Sequence, residues 1–387
     1  MRYVDLGVTP SLSQEKKKKR KKKILLITGG IFLITLVAVI GYAFYWPILE
    51  LLKNPDIALS FFNKEEAQLK STDGRTNILL LGIDKRSNVP YTFLGPGGKQ
   101  QHNGFLSDTI IVASYSHETK KISLVSIPRD TWISIPSWEK FPATQGKINS
   151  AYSIGDVFNY PGGGIQLAKR VVGEHLGITI HYVGRIDFQG FEKMVNTLDG
   201  IDVVVEKTFD DYRYPVPGKE SASCGNRNYN CRFEHLHFDK GSQHMDGKTA
   251  LGFVRSRSGT NGEGSDFARA RRQQKVIEAV IKRALSLENI LNPITLNSLF
   301  REFGESVETD FDLVVIPQVI KLAKEFDLSE MKTFVLDTSS NLMIIPNSGQ
   351  YGGAYVIVPK NNDWRPVKLK IKEFLTPVQE NTQEKQK

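Results

Sequence analysis

Asn77–Arg86 reads NILLLGIDKR and Ser107–Asp130 reads SDTIIVASYSHETKKISLVSIPRD. The runs Asn77–Ile83 and Ile122–Ile127 are almost continuously apolar and lack the alternation of a half-exposed strand. That pattern predicts strands covered by helices on both faces. Thr109–Tyr115 and Trp132–Ile135 read as further strands, and Val203–Glu206 as another. Helical periodicity predicts helices over Ile165–His175 and Phe188–Leu198, a long one from about Asp266 to Leu287, and two more over Ile290–Phe303 and Asp312–Phe326. Later strands are expected at Thr333–Leu336 and Tyr355–Val358. Residues 209–245, polar and rich in Gly, Asn and Cys, read as an irregular insertion or flap. Strands alternating with helices predict an α/β layered domain over residues 75–376, with no internal repeat.

The chain has 387 residues and a net charge of +9, but the charge is localised. Residues 1–46 hold nine Lys and Arg against two acidic residues; the other 341 residues carry 42 basic and 40 acidic side chains. A domain-wide basic footprint for nucleic acid is therefore absent. Lys16–Lys23 is an unbroken basic run, and the 23 residues Ile24–Trp46 that follow carry no charge. As a helix this stretch would reach about 34 Å, enough for a hydrocarbon core of about 30 Å. Tyr42, Tyr45 and Trp46 suit the far interface, and the basic run is expected to stay in the cytoplasm. A cleaved signal peptide would need small residues after its apolar core, whereas Phe44, Tyr45, Trp46 and Pro47 are bulky. The expected organisation is a cytoplasmic tail over 1–23, a single transmembrane helix over 24–46 and a connector over 47–74. An extracytoplasmic catalytic domain and a disordered tail over 377–387 follow.

Cys224 and Cys231 fall in the exported part, where a disulfide is the default. His235 and His237 follow closely, so zinc is the competing reading. The cysteine spacing departs from the usual two-residue gap of zinc sites.

Two aspartates stand at strand ends. Asp84 closes the Leu79–Ile83 run and Asp108 opens the next strand. If these strands are neighbours, both carboxylates meet at one sheet edge and offer hard oxygen ligands to Mg²⁺ or Mn²⁺. The plainer alternative is that each caps a turn. The glycines of 95–98 do not form a P-loop, because Lys99 is followed by Gln. Arg129 directly follows the third buried strand. Arg255 and Arg257 alternate, so in an extended segment they share a side. Arg269 and Gln273 share a helix face that continues as Val276, Ile277 and Val280. An arginine leading a core-facing stripe is costly unless it meets an anion, and the helix N-terminus favours the same sign of ligand. A surface network with Asp130 and Asp266 is the competing explanation. Guanidinium groups are, however, strongly suited to bidentate phosphate binding. Arg271 is expected to face solvent.

Taken together, NILLLGIDKR, SDTIIVASYSHETKKISLVSIPRD, KINSAY (Lys147–Tyr152), HYVGRIDF (His181–Phe188), GSQHMDGKTALGFVRSR (Gly241–Arg257) and DFARARRQQ (Asp266–Gln274) make the chain resemble the LytR–CpsA–Psr family. The resemblance implies an α-β-α fold with a mixed central sheet that holds a polyprenyl diphosphate lipid. It also implies transfer of a glycan phosphate from that lipid to peptidoglycan or another envelope acceptor hydroxyl. Carried over by position, the metal aspartates are Asp84 and Asp108, and the diphosphate ligands are Arg129, Arg255, Arg257, Arg269 and Gln273. Arg86, Lys147, Asp130 and Arg272 are further substrate-binding candidates. Asp199 stands where the family usually shows a second glycine, and the Cys224–Cys231 region takes no family role. A general base is expected among Asp84, Asp108 and Asp130. Apolar residues of Phe188–Leu198 and Val276–Leu287 are candidates for a lipid channel, or are ordinary core. The rival functions are a hydrolase of the same diphosphate and a non-catalytic anchored scaffold or regulator.

Overall fold

The apolar run after Arg75 becomes the centre of a mixed sheet in the computed structural model. The structure describes residues 68–85, 90–94, 100–216, 218–219, 221–225, 229–286, 303–312, 315–323 and 325–376. The expected cytoplasmic tail, the transmembrane helix, the connector before residue 68, Arg86, the glycines of 95–98, nearly all of the expected 290–303 helix and the C-terminal tail lie outside these residues. Among the described residues no helix is long and apolar enough to cross a membrane.

In chain order the strands begin with β1 (Arg75–Ile83), β2 (Thr92–Leu94), β3 (Gln100–His102), β4 (Ser107–Ser116), β5 (Lys121–Ser126), β6 (Trp132–Ile135) and β7 (Thr144–Lys147). Helices α1 (Ser150–Val157) and α2 (Gly163–Leu176) lead to β8 (Tyr182–Asp187), α3 (Phe188–Thr197), β9 (Ile201–Val205) and β10 (Phe209–Pro215). Next come β11 (Phe233–Phe238), β12 (Gly241–Met245), α4 (Gly247–Arg255) and α5 (Asp266–Ser286). The chain closes with β13 (Val307–Thr309), α6 (Ile316–Ala323), β14 (Asp327–Val335), β15 (Met343–Ile344), β16 (Val358–Pro359) and α7 (Arg365–Leu375).

The main sheet has six strands in the order β13-β8-β1-β4-β5-β14. β1 runs parallel to β8 and antiparallel to β4, and β5 runs parallel to β14. Leu79, Leu81 and Ile83 share one core with Leu167, Val171 and Val172 of α2 and with Val367 and Ile371 of α7. Leu80 turns to the other face, where Ile111 and Leu124 pack with Leu322 of α6 and Ile277 of α5. Burial on both sides explains why these strands show no alternation in sequence. A further core joins Val195 of α3, Val203 and Val205 of β9, Phe209, Phe238, Phe253 of α4, and Val276 and Ala279 of α5. The side chains considered for a lipid channel, such as Val195 and Val276, are therefore core packing.

Two expectations need correction. Residues 209–245 are irregular only in part: β10 pairs antiparallel with β11, and β12 pairs with β9, while the described residues between β10 and β11 form no strand. The alternation in β10 was hidden because Asp211 occupies a buried position between Phe209 and Tyr214. Arg255 is not in an extended segment but is the last residue of α4, which starts at the Asp246 cap. Its helical pattern is diluted by glycines that the packing requires. A Cβ at Gly247 would lie 2.2 Å from the Glu192 carbonyl oxygen. Smaller shifts are that β14 is longer than the expected 333–336 strand, and that α6 is shorter than the expected 312–326 helix. At the α3–β9 turn Asp199 adopts a φ of 58° and Gly200 a φ of 79°. Asp tolerates this left-handed region better than most residues, so the departure from a second glycine leaves the turn intact. Cys224 and Cys231 are joined as a disulfide with Cα atoms 5.5 Å apart.

Leu81, 2% exposed at the centre of the sheet, makes Leu81→Ala a direct check on this arrangement. The expected loss is about 2–5 kcal/mol of unfolding free energy, read by urea denaturation; a loss below about 1 kcal/mol would place Leu81 outside a packed core.

Candidate active site

The carboxyl ends of the parallel strands β8, β1 and β5 reach the same edge of the sheet, where β4 begins. Ligands of open α/β sheets bind at such edges. β1 pairs with β4 so that Ile83 faces Ser107, with a register shift at Gly82/Ile83, and the Asp84 amide donates to the Leu106 carbonyl at 3.0 Å. This places Asp84 and Asp108 at neighbouring strand ends, as the sequence reading required. Gly82 permits the approach, since a Cβ there would lie 2.8 Å from the Thr109 Cβ. Both aspartates line an open cavity of about 620 Å³, with Gly104, Phe105, Leu106, Arg129, Asp130, Lys147, Asn149 and Ser150.

Arg129 follows β5 across Ile127 and Pro128 and enters this cavity. Its Nη1 donates to Asp108 Oδ2, and its Nε is 3.4 Å from Asp130 Oδ2. Lys147 Nζ donates to the other Asp130 oxygen. The β7–α1 corner is locked to both strand ends: the Ser107 amide donates to the Asn149 carbonyl at 3.1 Å and the Asn149 amide to the Arg129 carbonyl at 3.3 Å. Burial pulls the Arg129 guanidinium down, but Asp108, Asp266 and Asp130 together hold it above its ordinary value.

Arg269 comes from the first turn of α5. Ser265 opens that helix by accepting from the Ala268 amide at 3.0 Å. The Arg269 side chain is 7% exposed, and its Nη1 lies 3.0 Å from Asp266 Oδ1. Burial brings its pKa down to about 10; Asp266 opposes this, while Arg129 and Arg257 push it down further. Arg129 and Arg257 are therefore each close enough to repel Arg269. Arg257 is half-exposed, with Nε 3.7 Å from the same Asp266 oxygen. Among the described residues, the buried Nε atoms of Arg129 and Arg269 have no hydrogen-bond partner. Buried N–H groups of charged side chains are expensive to leave unpaired. Arg129 Nε still faces Asp130 Oδ2 at 3.4 Å, whereas the Arg269 Nε donor, unmet among the described residues and set within a cluster of like charges, marks a place prepared for an anion.

Arg255 is held differently. Its Nη1 donates to the Tyr214 hydroxyl at 2.9 Å, and its guanidinium lies 4.0 Å from the Phe188 ring centroid. Phe188 begins α3 at the end of β8, so Arg255 flanks the same sheet edge. Gln273 is half-buried, with only a long 3.5 Å contact from Nε2 to the Val254 carbonyl. Arg271 is exposed, as expected.

The expectation for Arg272 is corrected. Its Nε donates to the Phe253 carbonyl, Nη1 to the Glu263 carbonyl and carboxylate, and Nη2 to the Ser256 carbonyl, all at 2.6–2.9 Å. With its donors so engaged and its side chain 4% exposed, it builds the segment that presents Arg255 and Arg257 and has no access to a substrate.

Sequence reasoning missed several supporting residues. Asp211 is buried and accepts from Ser256 Oγ at 2.7 Å and from the Arg257 and Ser258 amides at 3.2 Å. Asp187, opposite Ile83 in the β1–β8 register, accepts from Tyr91 and lies 3.8 Å from buried Lys85. Arg185 stacks over Tyr91 at 3.8 Å and pairs with Glu308 at 2.8 Å. Burial first, then Asp266 and Asp130, raise the Tyr355 hydroxyl pKa. Lys85, Arg185 and Asp187 lie inside the quoted motifs, and their position there was the available signal; Asp211 had none.

The LytR_cpsA_psr family model matches residues 55–367. A polyisoprenyl-teichoic acid–peptidoglycan teichoic acid transferase TagU of Oceanobacillus iheyensis is 30% identical over 250 residues, 65% of this chain and 63% of that protein. The regulatory protein MsrR of Staphylococcus aureus is 30% identical over 305 residues, 78% of this chain and 75% of its own. Among solved structures, B. subtilis TagV aligns with a TM-score of 0.53 at 24% identity, covering 79% of this chain and all of that one. TagT bound to LIIa-WTA aligns at 0.52 and 22%, covering 80% and 94%. These two likenesses concern the fold.

The contrast between the two buried arginines can be measured. Arg272→Met is expected to lower unfolding free energy by about 3–5 kcal/mol, because it strands the buried Glu263. Arg269→Met is expected to stay within about 1 kcal/mol of wild type or to stabilise, because it removes a buried charge held among like charges. Guanidinium denaturation of both variants checks this; the reverse order would contradict the assignment of one arginine to structure and the other to ligand.

Proposed function

This chain belongs to the LytR–CpsA–Psr family, and from that premise we propose that it is a membrane-anchored phosphotransferase. It would move a glycan phosphate from a polyprenyl diphosphate lipid to a hydroxyl of peptidoglycan or another envelope glycan. The observation that carries this reading is the charge field that Arg129 and Arg257 exert on buried Arg269, with Asp108 acting on both Arg129 and Arg269 and the Arg269 Nε donor unpartnered among the described residues. The name of the Oceanobacillus relative, a teichoic acid transferase, supports the substrate class. The basic run and uncharged stretch at the N-terminus support anchoring with the domain outside the membrane.

A diphosphate diester carries about two negative charges, and more charge gathers on the leaving phosphate as its bond breaks. Arg129 and Arg269 hold the bridging region, with the unpartnered Nε–H group of Arg269 directed to a phosphate oxygen. Asp108 and Asp130 fix the guanidinium plane of Arg129, and Lys147 fixes Asp130 in turn. Asp211 and Arg272 fix the backbone from Phe253 to Ser258, so that Arg257 is presented without main-chain rearrangement. Such preorganisation is the main source of transition-state stabilisation in transfers of this kind. The acceptor oxygen forms its bond to the glycan-side phosphorus, the bond to the polyprenyl phosphate breaks, and the lipid phosphate leaves with the electron pair. The acceptor proton passes to a carboxylate on the rim, where Asp84, Asp108 and Asp130 all stand.

The donors at the Asp84–Asp108 edge are carboxylate oxygens on an open cavity, which fits a hard divalent ion such as Mg²⁺ or Mn²⁺. Asp84 and Asp108 would hold it, and when bound it would supply Lewis-acid neutralisation of phosphoryl oxygens.

Transfer from a lipid diphosphate glycan to acceptor, followed by product analysis, tests the proposal. Arg269→Ala and Arg129→Ala are each expected to lower turnover by about 10²–10³ while remaining folded. Wild-type rates in both would overturn it. Lipid phosphate released equally with and without acceptor glycan would instead identify a hydrolase. A divalent-metal chelator is expected to stop transfer; unchanged turnover would remove the ion from the account.

A further inference from the structure

The β10–β11 ribbon carries a set of side chains that the phosphotransferase reading does not use. His235 and His237 are two residues apart on β11, so they share a face, and Asp210 lies opposite His237 in the ladder. His235 Nε2 is 2.7 Å and His237 Nδ1 is 2.8 Å from the same oxygen, Asp210 Oδ1. One potential ligand atom from each of the three residues lies within 4.8 Å of the other two. We propose that Asp210, His235 and His237 form a binding site for a late first-row divalent cation of the zinc class.

The donor chemistry selects the ion. Two imidazole nitrogens and one carboxylate oxygen suit Zn²⁺ and disfavour Mg²⁺ and Ca²⁺, which take oxygen shells. Three protein ligands leave one tetrahedral position for water, and half-exposed histidine side chains admit it. The ligands of a tetrahedral ion with bonds of about 2.0–2.2 Å stand about 3.4 Å apart. The present spacings of 2.7 and 2.8 Å must therefore open by about 0.6–0.7 Å, within the reach of side-chain rotations of half-exposed residues.

Two surrounding features make this more than a chance contact. His237 Nε2, the nitrogen turned away from Asp210, lies 3.2 Å from Asp239 Oδ1. A second carboxylate on the far nitrogen is the usual device for orienting a metal-binding histidine. Tyr212 stacks on the His235 ring at 4.3 Å with an interplanar angle of 6°, limiting its rotation. Asp210 itself is fixed through its main chain, whose N–H donates to Thr260 Oγ1 and whose carbonyl accepts from the Thr260 amide, both at 2.9 Å. The cysteines take no part, being joined to each other. A bound ion would tie β11 to β10, and β10 carries the Asp211 carboxylate that holds Ser256 to Ser258.

The test is a calorimetric titration of Zn²⁺ into the untagged, metal-stripped full chain carrying Asp84→Asn and Asp108→Asn, which removes the other divalent-ion candidate, with Mg²⁺ as comparison. One Zn²⁺ per chain is expected, tighter than a Kd of about 100 μM, and accompanied by a rise in melting temperature. The His235→Gln/His237→Gln variant should lose that binding. The exposed Asp239→Asn variant, which disturbs no packing, should weaken it by about 10- to 100-fold. Binding weaker than that threshold, affinity that survives the two histidine substitutions, or an Asp239→Asn affinity equal to that of the parent chain would overturn the site.

Discussion

A guanidinium that is buried without enough negative charge around it must be compensated elsewhere, and this constraint organises the molecule around Arg269. Asp266 is its direct partner, yet the positive charges of Arg129 and Arg257 oppose it. Arg129 stands under the opposite balance, with three carboxylates raising it. The two arginines thus form a graded field: one steadied by protein carboxylates, the other short of negative charge until a ligand arrives. A protein selected for stability alone would gain by replacing Arg269 with an apolar residue, since buried ionic groups are often neutral or unfavourable for folding. Retaining it makes physical sense if an anion arrives.

The scaffold supplies that field through a few rigid junctions. The sheet edge fixes Asp84, Asp108 and Arg129 by main-chain register. A second core of α3, α4, α5 and β9–β12 fixes the arginines that come from later in the chain. The two halves meet through buried polar links. Gln274 Nε2 donates to Ser126 Oγ at 2.8 Å and to the Phe334 carbonyl at 3.0 Å, tying α5 to β5 and β14. Arg272 and Asp211 act as interior braces for the segment after α4, each satisfying main-chain groups that the helix end leaves open.

Much of this was legible in sequence because it rests on local patterns. Continuous apolar runs gave β1 and β5, and helical periodicity gave α2, α3 and α5 to within a few residues. The convergence of Asp84 with Asp108 followed from their positions at strand ends once the strands were neighbours. The remainder was hidden where buried polar residues or glycines break the pattern. Asp211 interrupts the alternation of β10, and Gly247 and Gly252 dilute α4. Arg271 and Arg272 are adjacent and chemically identical, and only tertiary packing separates the exposed one from the brace. The metal-site candidate was half visible: His235 and His237 stood out, but Asp210 lies 25 residues earlier and joins them only through the ribbon.

The arginine cluster serves an anion rather than forming a self-contained ion-pair network. Calorimetric titration of the full chain with geranylgeranyl diphosphate, in wild type and in the Arg129→Gln/Arg269→Met variant, addresses it most directly. Saturable binding that weakens with salt and is lost in the variant is the predicted result; equal affinity in the two proteins would contradict the account.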